Sequence, residues 1–229
     1  MLLPELYIYR ELVKSLTNIE GFNGWFIAKL ELKIEKTGLA DNKTSVRHIK
    51  NRFIKQRKNC SVISACTAYG NTGYELTMYL LKPASMPGGN ILKNTFTGCI
   101  CQGGTYIFKL RYTTEDIKEF TESTGDSNII HHKAQPVVPG FLMFEDIIKK
   151  CIYKDIPDNS TDRYIMVFRN PVFAGEEIEI YNLDNTSRKI IALQAGGFNN
   201  AYGTRNTKWE FYGESIYSWR SQELYRNRK

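Results

Sequence analysis

Apolar and polar residues alternate most strictly between Trp25 and Ile34. Phe26, Ala28, Leu30, Leu32 and Ile34 fall on one side and Lys29, Glu31 and Lys33 on the other. A period of two predicts a half-buried strand. Upstream, Pro4 to Leu16 keeps helical spacing with a proline in its first turn, which predicts a helix. Val46, Ile49, Phe53 and Ile54 also share one helical face, with bases around the rest, so Lys43 to Lys58 is expected to be an amphipathic helix. Ser61 to Tyr69 and Tyr74 to Leu81 have strand composition and are joined by Gly70-Asn71-Thr72-Gly73, a hairpin signal.

Pro83 to Asn90 holds two prolines and two glycines and is the best linker candidate. Beyond it the pattern predicts a strand at Tyr106 to Tyr112 and a short helix at Thr114 to Phe120, capped by Thr113 or Thr114. An apolar helix, Val138 to Ile152, opens with Pro139-Gly140. Four strands then follow at Tyr164 to Phe168, Glu177 to Leu183, Arg188 to Gln194 and Lys208 to Tyr212. A strand, a helix and an antiparallel run make the second half α+β. The first half loosely repeats that order, which hints at an old duplication, with an N-terminal domain over 1–102 and a second over 103–229.

Composition changes this picture little. The chain has 229 residues, 42% hydrophobic and 24% charged, which excludes disorder, collagen-like sequence and a long coiled coil. No apolar run approaches the roughly 20 residues of a membrane-spanning helix. Glu5 and Arg10 interrupt the apolar N-terminus, unlike a secretory signal. Five cysteines (Cys60, Cys66, Cys99, Cys101, Cys151) show no C-x-x-C spacing. They read as reduced thiols of a cytoplasmic protein, with no metal site.

Charge is more informative. The chain carries 31 Lys plus Arg against 24 Asp plus Glu, a formal +7. Seven bases and no acid lie between Lys43 and Lys58, so the rest of the chain balances 24 bases with 24 acids. A nucleic-acid partner would have to be argued from that segment alone.

The densest chemistry lies between Thr124 and Lys150. Asp126, Asn128 and His131 fall in a loop, and Glu145 on the apolar helix. A histidine exchanges protons near neutral pH, and a neighbouring carboxylate orients it or shares the work. Gly140 at the helix start admits a substrate carbonyl close to backbone N–H groups, where the helix dipole favours an oxyanion. Partial burial of Glu145 would raise its pKa and make it a usable acid. Taken singly, each of these residues also fits a bland role: Asp126 and Asn128 as turn formers, His132 at the surface, Glu145 and Asp146 as an exposed helix stripe.

Thr124-Gly125-Asp126-Ser127-Asn128-Ile129-Ile130-His131 resembles the G-D-x-N-P-x-H signature of MaoC-type enoyl hydratases, with Ile129 in place of the proline. Thr113 to Phe120 is similar to the short helix before that signature. Phe168-Arg169-Asn170-Pro171-Val172-Phe173-Ala174-Gly175-Glu176 is similar to that family's R-F-x-x-P-V-x-P-G-D. His131 to Glu145 also resembles the H-F-P-G-x-P-x-x-P-G-V-L-x-x-E segment of FabZ-type β-hydroxyacyl-acyl-carrier-protein dehydratases. It matches His131, Pro136, Pro139, Gly140, Leu142 and Glu145 without a gap and departs at His132-Lys133-Ala134.

Both families belong to the hot-dog superfamily, and the resemblance covers about residues 105–200. It implies a curled antiparallel sheet around a central helix, either as one hot dog or as a double hot dog with a degenerate N-terminal half. It also implies interconversion of 3-hydroxyacyl and trans-2-enoyl thioesters, as in fatty acid or polyketide metabolism. The thioester would be carried on coenzyme A or on acyl carrier protein, with no other cofactor. The FabZ likeness implies His131 as base and Glu145 as acid; the MaoC likeness implies Asp126 with His131 activating water and Asn128 positioning it. Gly140, Val138 and Phe141 would line the acyl tunnel, or in the case of the apolar pair simply form core. A homodimer is implied unless the first half is itself a hot dog. Arg47, Lys50 and Lys55 would dock an anionic carrier. Competing readings are a hot-dog thioesterase and a non-catalytic acyl-thioester-binding regulator touching DNA. The second is disfavoured because no helix is placed to complete a helix-turn-helix.

Overall fold

A computed structural model describes residues 4–36, 48–83, 104–152, 160–184, 188–194 and 207–217. The chain begins with α1 (Pro4–Thr17), then β1 (Phe26–Lys36), β2 (Lys50–Arg57), β3 (Cys60–Tyr69) and β4 (Thr72–Leu81). The second half runs β5 (Thr105–Arg111), α2 (Thr114–Thr124), a 3-10 turn (Ile129–His131), α3 (Gly140–Ile147) and a π turn (Ile148–Ile152). Four strands complete it: β6 (Ser160–Phe168), β7 (Glu177–Asp184), β8 (Arg188–Gln194) and β9 (Thr207–Tyr217). The architecture is α+β, as the pattern predicts. The linker candidate falls almost wholly outside the described residues.

All nine strands join one antiparallel sheet in the order β2-β3-β4-β1-β6-β9-β8-β7-β5. The order is quasi-symmetric about the β1/β6 seam. Outward from it, β4, β3 and β2 on one side answer β9, β8 and β7 on the other. Leu32 lies opposite Leu76 on β4 and Tyr164 on β6, so the seam is as regularly registered as the pairs within each half.

The core lies on one side of this sheet, where α1 and α3 pack. Ile8, Leu12, Val13 and Leu16 form the buried face of α1, against β3 and β4. Phe141, Phe144 and Ile147 do the same for α3, and the Phe144 ring lies 5.9 Å from both Tyr9 of α1 and Phe211 of β9. Burying each such side chain stabilises by about 2–3 kcal/mol, so both helices are clamped to the sheet and to each other. Among the described residues no helix is long and apolar enough to cross a membrane.

The helix expected over Lys43 to Lys58 is not formed where the segment is described. Residues 50–57 are β2, an edge strand whose every residue is exposed. Lys50, Arg52, Lys55 and Arg57 pair with Cys66, Ser64, Val62 and Cys60; Asn51, Phe53 and Gln56 pair with Ala65, Ile63 and Ser61. Cross-strand partners share a face, and Ile63 and Ala65 belong to the core. The four cations therefore all point away from it. Their period of two is broken by a bulge at Ile54. That one extra residue put Ile49, Phe53 and Ile54 into helical spacing and disguised the strand. The inward positions are tethered: Asn51 Nδ2 donates to Ser15 O at 3.1 Å, and Ser15 Oγ to Asn51 Oδ1 at 2.7 Å. A charged edge also resists pairing with a further strand. Lys43 and Arg47 lie outside the described residues.

Candidate active site

The loop bearing the candidate chemistry is fixed at both ends by local backbone preference. Thr113 and Asp116 form a reciprocal capping box at the start of α2. Gly125 ends the helix in the left-handed region at φ 72°, which favours glycine. Asn128 Oδ1 caps the 3-10 turn through Ile130 N, and Asn128 N donates to Asp126 Oδ1 at 3.1 Å. Downstream, Val137 N donates to Ile130 O and Val138 N to Val172 O, which closes the loop before α3 begins.

This folding brings Asp126 and His131 together. Asp126 Oδ2 stands 3.6 Å from His131 Nε2, and the two residues are only 9% and 7% exposed. His131 Nδ1 lies 2.7 Å from Val137 O. A carbonyl can only accept, so Nδ1 carries the hydrogen and Nε2 presents a lone pair in the neutral ring. Burial pushes the His131 pKa below its ordinary 6.5, against an opposing pull from Asp126 and the Val137 carbonyl. Neutral imidazole is therefore the resting form at pH 7. His132 is exposed, with Nε2 3.3 Å from Asp126 O.

Both residues open onto a cavity of about 560 Å³. Its second-half wall includes Ile130, Val138, Gly140, Phe141, Met143 and Phe168, and its first-half wall includes Leu16, Phe22, Trp25, Phe26, Met78 and Leu80. Gly140 lies where a Cβ would meet Phe168 Cζ at 3.0 Å and Ile27 Cδ1 at 3.4 Å, so only glycine fits without displacing a ring. At the start of α3, Leu142 N and Met143 N donate to Pro139 O at 3.1 and 3.3 Å, while the Gly140 and Phe141 amides before them have no acceptor within the helix. Pro139, as its cap, supplies no side-chain acceptor either.

A search of the sequence against family models finds no match, and a search against curated proteins finds none either. Solved structures do match. HtdX from Mycobacterium tuberculosis superposes with a TM-score of 0.54 at 14% identity, covering 91% of this chain and 86% of that one. The chain has a hot-dog fold. Two weaker superpositions are a MaoC-like dehydratase from Phytophthora capsici, with a TM-score of 0.46 at 14% identity over 85% of this chain and 73% of that one, and an acyl-ACP thioesterase from Bacteroides thetaiotaomicron, with 0.41 at 10% identity over 83% and 77%.

Within this hot-dog fold Glu145 does not join the cavity, contrary to the expectation from spacing. It is fully buried on the far side of α3. Arg10 of α1 grips it with Nε at 3.2 and 3.1 Å from the two oxygens and Nη2 at 2.9 Å from Oε1. Lys149 approaches the same carboxylate one turn later. Glu145 lies five positions after Gly140, which turns it about 140° around the helix from the cavity-facing glycine. The neighbour it meets there is α1, a helix the sequence predicts but whose contact with Glu145 nothing local announces.

Asn128 has a second set of partners, which the sequence did not show. Its Oδ1 accepts from Gly24 N at 2.8 Å and its Nδ2 donates to Trp25 O at 2.9 Å. Those bonds staple the loop to the α1–β1 connection, while Asn128 also lines the cavity. Asn23 adds a bond from Ile129 N to its Oδ1 at 2.8 Å, and Thr17 Oγ1 donates to Thr124 O at 2.9 Å. Sequence reading missed these first-half residues. Their one local signal is glycine at 21 and 24, both at positive φ, which by itself reads as a turn. Of the expected docking residues, Lys50 and Lys55 lie on β2.

Proposed function

We propose that this hot-dog protein is a hydro-lyase that interconverts 3-hydroxyacyl and trans-2-enoyl thioesters, with Asp126 and His131 as its acid–base pair. The observation that carries the reading is the 3.6 Å separation of Asp126 Oδ2 and His131 Nε2 at the wall of an otherwise largely apolar cavity. That gap is too long for a direct hydrogen bond and suits one water held between the two groups. In hydration, His131 Nε2 takes a proton from this water while Asp126 accepts its other hydrogen. The hydroxide adds to C3 of the enoyl group, and the electron pair moves onto the thioester oxygen beside the first amides of α3. The imidazolium then returns its proton to C2. Dehydration is the reverse and releases one water.

Asp126, not Glu145, is the partner in this scheme, because it faces the histidine while Glu145 faces Arg10 and Lys149. The acyl group enters on a thioester of coenzyme A or of a phosphopantetheine carrier and occupies the space between Phe141, Met143 and the first-half wall. The transition state needs no further cofactor.

The pH dependence tests the pairing. His131 acts as a base only when neutral, so kcat/KM should rise with pH with its midpoint below the ordinary 6.5 and then level off. Asp126→Asn removes the charge that raises this pKa, so the acid limb should move to lower pH while kcat falls about 100-fold. An unmoved limb would mean that Asp126 does not face the titrating group. Stability has the matching sign. Between the depressed pKa and 6.5 the unfolded chain holds the proton and the native one does not, so the His131 contribution is complete above 6.5 and is lost as pH falls through that window.

A further inference from the structure

The cations of β2 form a row. Lys50, Arg52, Lys55 and Arg57 share one face of an edge strand, all four exposed. None of them is ion-paired among the described residues. Two residues of strand advance ~6.6 Å, so the row extends for ~20 Å. At its end the turn into β3 hydrogen-bonds to the cavity rim: Lys82 N donates to Asn59 O at 3.0 Å, and Leu81, Lys82 and Pro83 line the opening. Exposed Lys58 continues the charge through that turn, and Ile54 and Leu81, each about half exposed, put apolar surface beside it.

The geometry points to this row as the docking edge for an acidic protein carrier, whose thioester arm enters the cavity past Lys82. The inference rests on the acyl-thioester reading above and selects between its two carriers. A nucleotide carrier holds its few phosphates close together and would engage one end of the row, leaving most of it unused. An acidic helix with carboxylates at every fourth residue repeats every ~6 Å, close to the spacing of the cations, and can follow the whole length. Local apolar surface at Ile54 and Leu81 suits a protein face. Because five of the seven excess bases lie on this edge and its turn, they steer such a partner toward the cavity opening and not to the molecule at large.

The test is a direct binding measurement alongside turnover. Crotonyl-loaded acyl carrier protein is titrated onto the wild type and onto the triple variant Lys50→Glu/Arg52→Glu/Lys55→Glu, at low and at physiological salt. Crotonyl-CoA turnover is followed for both proteins. Salt-sensitive binding of the carrier that weakens about tenfold or more in the variant, with crotonyl-CoA KM and kcat within twofold of wild type, supports the inference. An equal rise in the crotonyl-CoA KM overturns it, because the row would then read nucleotide phosphate. No carrier binding to the wild type overturns it, as does tighter binding of a single-stranded RNA oligomer at the same row. If the carrier binds and the variant loses it, but the wild type turns over neither thioester, the docking edge stands and the hydro-lyase reading fails.

Discussion

His131→Ala is expected to reduce turnover of a crotonyl or 3-hydroxybutyryl thioester by about 1,000-fold. The expectation follows from the single lone pair at Nε2. Nδ1 is committed to Val137 O at 2.7 Å, Asp126 stands 3.6 Å away, and His132 is exposed beyond the loop, so no second base is placed to take over. The fold should survive, because the deletion removes one hydrogen bond worth about 1 kcal/mol while the loop keeps its ties through Asn128, Asn23 and Val138. A melting temperature within about 4 °C of wild type should accompany the loss of rate. Retained turnover in a folded His131→Ala protein would remove His131 from the mechanism.

The largest stability effect is expected at Arg10. Arg10→Met leaves Glu145, fully buried, with Lys149 as its remaining cation. Arg10 is about one-third exposed and Lys149 still faces the buried carboxylate, so the cost is about 2–3 kcal/mol, below that of a wholly uncompensated buried charge. The same reasoning makes the double variant Arg10→Met/Glu145→Leu much less damaged than the single one, since it buries neither unpaired charge. Urea denaturation of the three proteins measures both values. A single variant costing less than about 1 kcal/mol would show that Glu145 finds relief elsewhere. Turnover per folded molecule should change little in the double variant, which separates the clamp from the chemistry.

Much of the site was legible because its information is local. Asp126, Asn128 and His131 lie within six residues, and their spacing, with Gly125 before and Pro139-Gly140 after, defines the loop by turn chemistry alone. β1, read from its strict alternation, and the β3–β4 hairpin, read from strand composition and its turn signal, were equally plain. Legibility failed where structure depends on a distant partner. Glu145 has catalytic-looking spacing from His131, yet its environment is set by Arg10, 135 residues away in sequence. Asn128 bonds across a similar distance to Gly24 and Trp25. At β2 a one-residue bulge imposed helical spacing on a strand, and only the pairing with β3 reveals that its cations share a face. The first-half wall of the cavity was invisible for the same reason: Phe22 and Trp25 become part of it only when β1 and β6 join the two halves into one sheet.

The continuous sheet gives that wall its mechanical basis. The seam holds the α1–β1 connection against the loop, and four hydrogen bonds, donated by Thr17 and Gly24 and accepted by Asn23 and Trp25, fix the loop's position. Acid–base geometry in the second half is thereby positioned by the first.

The central claim is that the Asp126–His131 pair adds and removes water and does not cleave the thioester. Incubating the purified protein with a crotonyl thioester, while recording enoyl ultraviolet absorbance and free thiol in the same sample, tests it most directly. The predicted result is loss of enoyl absorbance to an equilibrium plateau with no thiol released. Stoichiometric thiol release would contradict it and identify a thioesterase.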